Sequence, residues 1–377
     1  MQIPSHCTKS HLHINENRPN HNQQSTIKYS YIRILSITVN NFAFVVISLF
    51  CMYASYSYIY PVCAAFCVSF VVNLLLSSRW LRHIGLDTPD HRSLHQSPTP
   101  RLGGLGILGG VLVLQAISGA WPHNWNVAIV LLAGISLLDD LYPLPPWLRL
   151  AIQLGSATAI VQGLPAQLHT PALLALLLPG VIWSINLYNF MDGANGLAGG
   201  MGLIGFGWLG WAAWPGAPEL ALNCWAIAAA AAGFLCFNFG KARIFMGDAG
   251  STLLGLMAAT IGTHGVAQGA WPAWLPLMIF SPFIADASST LLARILRKER
   301  FWLPHREHAY QKLIQMGWSH TRLATCAYIL MLLCGGLAVS LQQKNDFVIF
   351  SWLALAGIYW IIGRAIQKQW NRFVAAA

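Results

Sequence analysis

The sequence predicts an all-α fold, that of a polytopic integral membrane protein. Only 9% of its 377 residues are charged, whereas soluble domains carry about 25% charged residues. The chain therefore has too little polar surface to face water on all sides. Apolar segments recur along its length, and a helix needs about 20 such residues to cross a bilayer. We expect about eleven transmembrane helices, with one further candidate span near the amino terminus.

Twelve apolar segments are candidates for these helices. The first is the weakest, because Asn40 and Asn41 interrupt it. The segments lie near residues 34–54, 59–80, 103–120, 125–141, 148–162, 171–187, 197–214, 220–237, 250–268, 271–293, 321–341 and 346–366.

The chain divides into three predicted regions. Residues 1–54 form an amino-terminal extension, whose polar first part we expect to be disordered. Its apolar second part is either an extra span or a segment that precedes a start near Met52. Residues 55–370 form the membrane-embedded domain, and residues 371–377 form a cytoplasmic tail.

The basic residues predict the orientation. Of the 22 Lys and Arg, seventeen fall in alternate loops or at the adjoining span ends, and four precede the first segment. The loops of the opposite side contain Lys344 alone. Because cytoplasmic loops are enriched in Lys and Arg, the first set of loops is expected to face the cytoplasm. This spacing also argues against nucleic-acid binding, which needs a basic patch on a soluble fold.

Most acidic residues lie on the same predicted face. Acidic residues contribute little to orientation, so their position needs another cause. Carboxylates beside many cations suggest a site that binds both a metal ion and phosphates. The acids on this face are Asp87, Asp90, Asp139, Asp140, Asp192, Asp248, Glu299 and Glu307.

Asp139 and Asp140 end an apolar segment in the sequence LLDDLYPLPP. A carboxylate pair at the end of a span is costly unless it is hydrated, paired or bound to a cation. The pair either caps a helix or binds Mg²⁺ and activates a phosphate nucleophile.

Residues 186–200, NLYNFMDGANGLAGG, combine amides, one carboxylate and glycines. Asn186 and Asn189 are three residues apart and share a helix face, while Asp192 and Asn195 each precede a glycine, as in turns. Asn side chains both donate and accept hydrogen bonds, which suits a nucleotide or an amide-bearing sugar. The alternative is an ordinary loop between spans.

Residues 244–252, IFMGDAGST, place Asp248 between two glycines just before a span. Backbone N–H groups at the start of a helix attract anions, and a carboxylate there can hold Mg²⁺ against bound phosphates. The alternative is a simple helix cap.

Residues 90–106 combine Arg92, His95 and Arg101 with a proline-containing turn and a glycine cluster. Arginine suits phosphate recognition because its planar guanidinium binds two oxygens. The alternative is a basic interfacial loop that serves orientation.

His305 and His308 flank Arg306 in the sequence HREHAYQ, within the most basic loop. The two histidines are candidates for metal ligands, phosphate donors or acid–base groups, and the alternative is interfacial surface.

Asp286 lies inside the apolar segment 271–293. An intramembrane carboxylate is either part of a functional site or a paired structural charge. Arg294, two turns later, is the expected partner in the second case.

Together these segments resemble the polyprenyl-phosphate N-acetylhexosamine-1-phosphate transferase family, over about residues 59–366 and in the family's order. The HREH form is closer to the branches that initiate surface polysaccharides, such as O-antigen, than to the peptidoglycan branch. The motifs are PTPRLGG with upstream Asp87, Arg92 and His95; Asp139-Asp140; NLYNFMDGANGLAG; FMGDAGS; Asp286; and HREHAYQ.

The resemblance implies Mg²⁺, with Mn²⁺ as a substitute, a UDP-N-acetylhexosamine donor and undecaprenyl phosphate as the acceptor in the lipid bilayer. It implies that Asp248 and Asp139 bind the metal ion. The implied catalytic residues are Asp139, Asp140, His305 and His308. The expected substrate-binding residues are Arg92, His95, Arg101, Asn186, Asn189, Asp192, Asn195 and Arg306.

The implied reaction transfers N-acetylhexosamine-1-phosphate to the lipid and releases UMP, initiating a polymer of lipopolysaccharide or cell wall biogenesis. Three alternatives stay open at this point. A secondary transporter would show ionisable residues near the midplane and repeated halves, and only Asp286 fits. The second is a phospho-muramoyl-pentapeptide transferase of the peptidoglycan branch. The third is a non-catalytic assembly protein of a polysaccharide complex, whose site residues should tolerate change. The sequence also leaves open which amino sugar is used, whether the mechanism has one step or two, and whether a homodimer forms.

Overall fold

The computed structural model describes residues 59–81, 83–87, 98–119, 121–300, 303 and 305–376. The candidate span 34–54 and the residues Arg92 and His95 lie outside these ranges. The helices are Tyr60–Leu76 (α1), Gly104–Ser118 (α2), His123–Leu141 (α3), Pro146–Gln162 (α4), Pro171–Phe190 (α5), Leu197–Ala213 (α6), Pro218–Asn238 (α7), Asp248–Ala267 (α8), Trp274–Ile279 (α9), Ser281–Leu296 (α10), Ala309–Gln315 (α11), His320–Leu341 (α12) and Val348–Ala376 (α13).

Two short strands and two single turns of 3-10 helix complete the described structure. The strands Leu86–Asp87 (β1) and Thr99–Pro100 (β2) pair in the antiparallel direction, with Asp87 opposite Thr99. The 3-10 turns are Ala166–Leu168 and Asn345–Phe347. The strand pair lies directly before α2 in the chain and brings Asp87 close to Arg101 (below).

Helix boundaries follow from residues whose side chains satisfy the unpaired backbone groups at helix ends. The side chain of Thr170 accepts a hydrogen bond from Leu173 N at the start of α5, and Ser319 does the same for Arg322 N at the start of α12. Prolines begin α4, α5 and α7, where a missing N–H costs no helical bond. These signals place the helix starts close to the predicted span limits.

The predicted segment 271–293 is wrong as a single helix. The chain breaks between α9 and α10 at Phe280. Pro282 has no N–H with which to continue the hydrogen-bond ladder of α9, and the Ser281 hydroxyl donates to the Met278 carbonyl at 2.7 Å instead. A further helix, α11, lies within the loop that the sequence predicts between residues 294 and 320.

The length and composition of several helices agree with a membrane protein. Among the described residues, α3, α5, α7, α12 and α13 are long and apolar enough to cross a bilayer, and α1, α2 and α6 are shorter apolar helices. Ile349, Phe350 and Leu353 on α13 are 66–72% exposed, as expected for side chains that face lipid. The number of about eleven spans stays a prediction.

Helix α8 is the central element for the site. It packs against α2, α3 and α5. The Ser184 hydroxyl of α5 donates to the Gly255 carbonyl at 2.8 Å, and Ser136 of α3 shares a hydrogen bond of 2.9 Å with Thr252. A Cβ atom on Gly255 would lie 2.4 Å from the Ser184 carbonyl oxygen, so small residues allow this close approach. The packing brings the ends of α3 and α5 to the first residue of α8.

Candidate active site

Asp140, in the last turn of α3, closes the amino-terminal end of α8. One carboxylate oxygen accepts the backbone N–H of Asp248 at 3.0 Å, and the other accepts that of Ala249 at 3.1 Å. The Asp140 side chain is 1% exposed. The sequence predicts that this helix start attracts an anion, and the structure shows that the carboxyl oxygens of Asp140 accept these two N–H groups.

The PTPRLGG and FMGDAGS motifs form one structure. Gly103 N donates to the Phe245 carbonyl at 2.9 Å, and Gly104 N donates to the Met246 carbonyl at 2.7 Å. Gly247 adopts a φ of +72°, and a Cβ atom there would lie 2.2 Å from the Arg101 carbonyl oxygen and 2.6 Å from an Asp140 oxygen. Glycine is therefore required where the two motifs cross.

Arg101 is held at the edge of this structure by Asp87. Its Nη2 atom donates to the Asp87 carboxylate at 2.6 Å, and Nη1 lies 4.0 Å from Asp140. Partial burial lowers the pKa of Arg101, but its hydrogen bond to Asp87 and the charges of Asp87, Asp140 and Asp248 raise that pKa overall. Arg101 is a fixed cation beside the carboxylates.

Asp139 faces a different set of partners from its neighbour Asp140. It accepts the backbone N–H of Leu144 at 2.7 Å and Nη1 of Arg149 at 2.9 Å. Arg149 lies in the first turn of α4 and its side chain is 40% exposed. Sequence reasoning used Arg149 only for orientation, although an opposite charge so close to Asp139 in the chain was a usable signal.

Asp248 and Asp192 bring two further carboxylates to the same place. The Asp248 side chain contacts those of Asn189 and Asp139. Burial raises the pKa of Asp192 well above its usual range, and the charges of Asp248 and Asp140 raise it further. Four aspartates from α3, α8 and the loop after α5 thus influence one another, with Arg101 and Arg149 at their border.

The loop from Asp192 to Gly196 is fixed by residues that sequence reasoning did not select. Tyr328 donates its hydroxyl hydrogen to the Gly196 carbonyl at 2.6 Å, and Asn238 accepts the Gly196 N–H at 2.6 Å. The side chain of Asn195 donates to the Gly240 carbonyl at 2.9 Å, and its backbone N–H donates to His320 at 3.1 Å. The Asn195 amide therefore has a structural partner, and its predicted contact with substrate stays a prediction.

Asn186 forms a reciprocal amide pair with Gln153 of α4. Its Nδ2 atom donates to Gln153 Oε1 at 2.8 Å and to the Ile182 carbonyl at 2.8 Å, while Gln153 Nε2 donates to Asn186 Oδ1 at 3.3 Å. Asn186 and Asn189 both lie on α5 but have different partners, and the amide of Asn189 is the one that contacts an aspartate of the site.

Asp286 caps the start of α11 in the same way that Asp140 caps the start of α8. Its carboxylate accepts Ala309 N at 2.8 Å and Tyr310 N at 3.2 Å, and lies 3.5 Å from His308 Nδ1. The expected pairing with Arg294 is wrong.

Arg294 instead belongs to an ion-pair cluster with Glu299, Glu307 and Arg297. The Nη1 atom of Arg294, on α10, contacts both carboxylates, which lie in the loop that follows this helix. Those carboxylates are stronger partners than Asp286, whose oxygens already accept two backbone N–H groups.

The rings of the two histidines lie in tilted contact in the loop before α11. Their ring centroids are 5.0 Å apart, and His308, which is 3% exposed, also stacks on Phe190 at 6.0 Å. Burial lowers the pKa of His305 to about 4, and the charges of His308 and Arg294 act in the same direction. His305 is therefore neutral at pH 7 and able to accept a hydrogen bond.

Tyr310 joins the histidine segment to the loop that contains Asp192. Its hydroxyl donates to the Phe190 carbonyl at 2.8 Å, and a Cβ atom on Gly193 would lie 2.2 Å from that hydroxyl oxygen.

Arg306 is partly exposed, and its carbonyl accepts a hydrogen bond from Gln315 Nε2 at 3.1 Å. The predicted roles of Arg306, His305 and His308 in substrate binding and catalysis stay predictions.

The carboxylates of the site are the candidate ligands for a magnesium ion. Among the described residues, no group of three or more His, Cys, Asp or Glu is arranged to hold a metal ion. Magnesium in phosphate-transferring sites commonly takes one or two carboxylates and completes its shell with water and phosphate oxygens. Asp139 and Asp140 accept hydrogen bonds at both oxygens, and the Asp248 side chain contacts Asn189 and Asp139. The predicted binding of a metal ion by Asp248 and Asp139 stays a prediction.

Comparison with known proteins identifies the family. The sequence model of glycosyl transferase family 4 matches residues 122–265, which include Asp139, Asp140, Asp192 and Asp248.

Three curated relatives extend this match over most of the chain. A "probable undecaprenyl-phosphate N-acetylglucosaminyl 1-phosphate transferase" of Bacillus subtilis is 30% identical over 322 residues, 78% of this chain and 88% of the relative. A decaprenyl-phosphate N-acetylglucosaminephosphotransferase of Mycolicibacterium smegmatis is 32% identical and covers 64% of this chain and 71% of the relative. An undecaprenyl-phosphate alpha-N-acetylglucosaminyl 1-phosphate transferase of Yersinia pestis is 26% identical, with 77% and 87% covered. The chain therefore belongs to glycosyl transferase family 4, the family of the polyprenyl-phosphate N-acetylhexosamine-1-phosphate transferases.

Proposed function

We propose that the protein transfers N-acetylhexosamine-1-phosphate from a UDP-N-acetylhexosamine, UDP-GlcNAc or a related amino sugar, to undecaprenyl phosphate and releases UMP. The observation that supports this most strongly is the group of four aspartates bordered by two fixed arginines, in a chain of this family. The product would initiate a surface polysaccharide such as O-antigen.

Arg101 and Arg149 are suited to bind the phosphates of the two substrates. Both reactants are anionic, so their approach requires positive charge. Asp87 and Asp139 each accept one guanidinium hydrogen bond at 2.6 and 2.9 Å, which fixes the arginines while leaving other donors of each guanidinium. Both side chains keep part of their surface exposed, at 36% and 40%.

Asp248 and Asp139, whose side chains contact each other, are the residues we propose to hold Mg²⁺, for which Mn²⁺ can substitute. When bound, the metal ion would neutralise charge on the phosphoryl group that is transferred. Asn189 orients the Asp248 carboxylate through its side-chain contact, and Asp140 fixes the backbone on which Asp248 sits. Asp140 thus acts as a positioning residue in this proposal.

The proposed site lies where a helix bundle meets the cytoplasm. The distribution of Lys and Arg supports a bacterial inner-membrane protein with this face inward. At that depth the isoprenoid tail of the acceptor stays in hydrocarbon while the nucleotide sugar arrives from water.

The test is UMP release by the purified, membrane-reconstituted protein with undecaprenyl phosphate, Mg²⁺ and a panel of UDP-sugars that includes UDP-GlcNAc and UDP-MurNAc-pentapeptide. We expect turnover with UDP-GlcNAc or a related UDP-HexNAc, loss of turnover on chelation by EDTA, and its return with Mg²⁺ or Mn²⁺. Asp248→Asn should lower kcat by at least about 100-fold, the scale of one lost electrostatic group.

The matched control is Glu219→Gln, an exposed acid at the start of α7 on the opposite predicted face. It removes one negative charge and should leave turnover unchanged. Absence of turnover with every UDP-HexNAc in a folded protein would refute the proposed reaction, and full activity of Asp248→Asn would refute the metal assignment alone.

A further inference from the structure

The carboxy-terminal part of α13 bears a row of cations that the proposed reaction does not use. Arg364, Lys368 and Arg372, here called the cationic row, are spaced four residues apart and so lie on one helix face. All three are exposed. Within the described part of the chain, none of them forms an ion pair with a carboxylate, and residues 347–377 contain no acidic residue at all.

The opposite face of this helix end is apolar. Ile366 packs against the hydrophobic core, and Trp370 stacks on Phe373 with ring centroids 5.7 Å apart. Gln367, between the two faces, accepts a hydrogen bond from Lys312 of α11 at 2.9 Å. Ile366 therefore faces the protein, and the cationic row lies on the other side of the helix.

The length of α13 gives the depth of the cationic row relative to the hydrocarbon core of the membrane. A 29-residue helix is about 44 Å long, and the hydrocarbon core is about 30 Å thick. Counted from Val348, Arg364, Lys368 and Arg372 lie about 24, 30 and 36 Å along the axis. The row therefore spans the boundary between the hydrocarbon core and the headgroups. Trp360 lies 5.9 Å from the Arg364 guanidinium, as expected for an aromatic residue at the membrane interface.

Polar side chains flank the row on an open surface of the helix. They include the amides of Gln367 and Asn371. Guanidinium, ammonium and amide groups are the donors that phosphate oxygens accept.

We propose that the cationic row binds the headgroups of anionic phospholipids. The charge and the polar donors favour a phosphate-containing ligand. The depth favours a lipid over a soluble anion, because Arg364 and Lys368 lie at or below the headgroup level. An acidic protein partner would instead need cations that project well beyond the headgroups. This inference is independent of the proposed reaction.

The test is lipid binding by the detergent-purified full-length chain, measured by native mass spectrometry with phosphatidylglycerol and with phosphatidylcholine. We expect a clear preference for phosphatidylglycerol that weakens as salt rises, since exposed charges are screened. Each juxtamembrane cation contributes roughly fivefold to binding of anionic lipid, so Arg364→Gln/Lys368→Gln/Arg372→Gln should weaken phosphatidylglycerol binding on the order of 100-fold. Binding of phosphatidylcholine should not change.

The matched control is Arg79→Gln/Lys298→Gln/Arg300→Gln, which removes the same charge from three exposed cations elsewhere. Because these three cations lie outside the helices and form no row on one helix face, they do not converge on one headgroup, and the control should weaken phosphatidylglycerol binding by less than about threefold. Equal loss in both variants would overturn the proposal, because net charge alone would then explain binding. Undiminished binding in the row variant would overturn it, as would displacement of the lipid by millimolar inorganic phosphate. Circular dichroism checks folding, and if the triple variant unfolds, Arg364→Gln and Lys368→Gln singly should each show the fivefold loss.

Discussion

Asp140 and Asp248 are joined by a hydrogen bond in which the carboxylate at the end of α3 accepts the first backbone N–H of α8, at 3.0 Å. Asp286 repeats the arrangement with Ala309 at 2.8 Å. In both cases an acid from one helix fixes the start of a segment that contains predicted site residues. A carboxylate used in this way positions its neighbours, and this function differs from direct contact with substrate.

Replacing Asp140 by Asn should therefore lower stability as well as activity. The amide keeps one acceptor oxygen but turns an NH₂ group towards a backbone N–H. A buried N–H left without an acceptor costs about 1–3 kcal/mol, so we expect a lower Tm in thermal unfolding and slower UMP release. The conservative Asp346→Asn, in the 3-10 turn before α13, serves as the control. Normal stability with abolished activity would argue that Asp140 acts on substrate directly.

Gly247→Ala should destabilise the junction between the PTPRLGG and FMGDAGS motifs. Its φ of +72° disfavours any side chain, and the new Cβ atom would collide with the Arg101 carbonyl oxygen 2.2 Å away. Strain of this kind costs on the order of 1–3 kcal/mol. Gly155→Ala within α4, where a Cβ meets no atom within 4 Å, should be neutral or slightly stabilising. Equal Tm values for the two variants would contradict this reading of the junction.

The helices were largely predictable because membrane spans require long apolar segments. Starts such as Pro171 and Pro218 fall within a few residues of the predicted limits. The break at Phe280 was not predicted, because the apolar pattern continues through Pro282. Only the missing N–H of that proline indicates that the helix ends there. The extension before residue 59 and the residues Arg92 and His95 lie outside the described structure.

The candidate site was predictable in composition but not in pairing. Acids and amides stood out because they are rare in an apolar chain. Which of them pair with one another depends on helix packing, and this decided that Asn186 meets Gln153 while Asn189 meets Asp248. Arg149 and Tyr310 were missed as site residues because a cation in a basic loop and an interfacial tyrosine have other common explanations.

His305 should make stability depend on pH below neutrality. Its pKa is lowered to about 4 in the folded protein from about 6.5 in an unfolded chain, so the unfolded state binds more protons between these values. Stability is therefore retained above pH 6.5 and falls as pH decreases towards 4. The Tm of His305→Gln should therefore decrease less than the wild-type Tm over that pH interval.

The control for this titration is His123→Gln, an exposed histidine at the start of α3. It should follow the wild-type Tm curve. If His305→Gln and wild type show parallel curves from pH 7 to pH 4.5, His305 is not buried in its neutral form.

Variants of Asn186 and Gln153 can distinguish a structural role of Asn186 from a role in substrate binding. The Asn186 side chain uses both of its amide groups on Gln153 and the Ile182 carbonyl. Removing one partner leaves a buried amide unpaired, while replacing both by apolar residues of similar shape is close to neutral. Asn186→Leu and Gln153→Met should each lower stability, and the double variant should regain part of the loss. The coupling energy should be about 0.6 kcal/mol and at most about 1.7 kcal/mol, the range for hydrogen bonds between membrane helices.

Activity then decides the role that the family resemblance assigns to Asn186. Because its amide is already paired, we expect the double variant to keep kcat/KM within about threefold of wild type in the UMP-release assay. Asn189→Leu, which removes the amide in contact with Asp248, should lower kcat in a protein of similar stability. A large rise in KM for the UDP-sugar in the stable double variant would show instead that Asn186 exchanges Gln153 for substrate, as the sequence predicts.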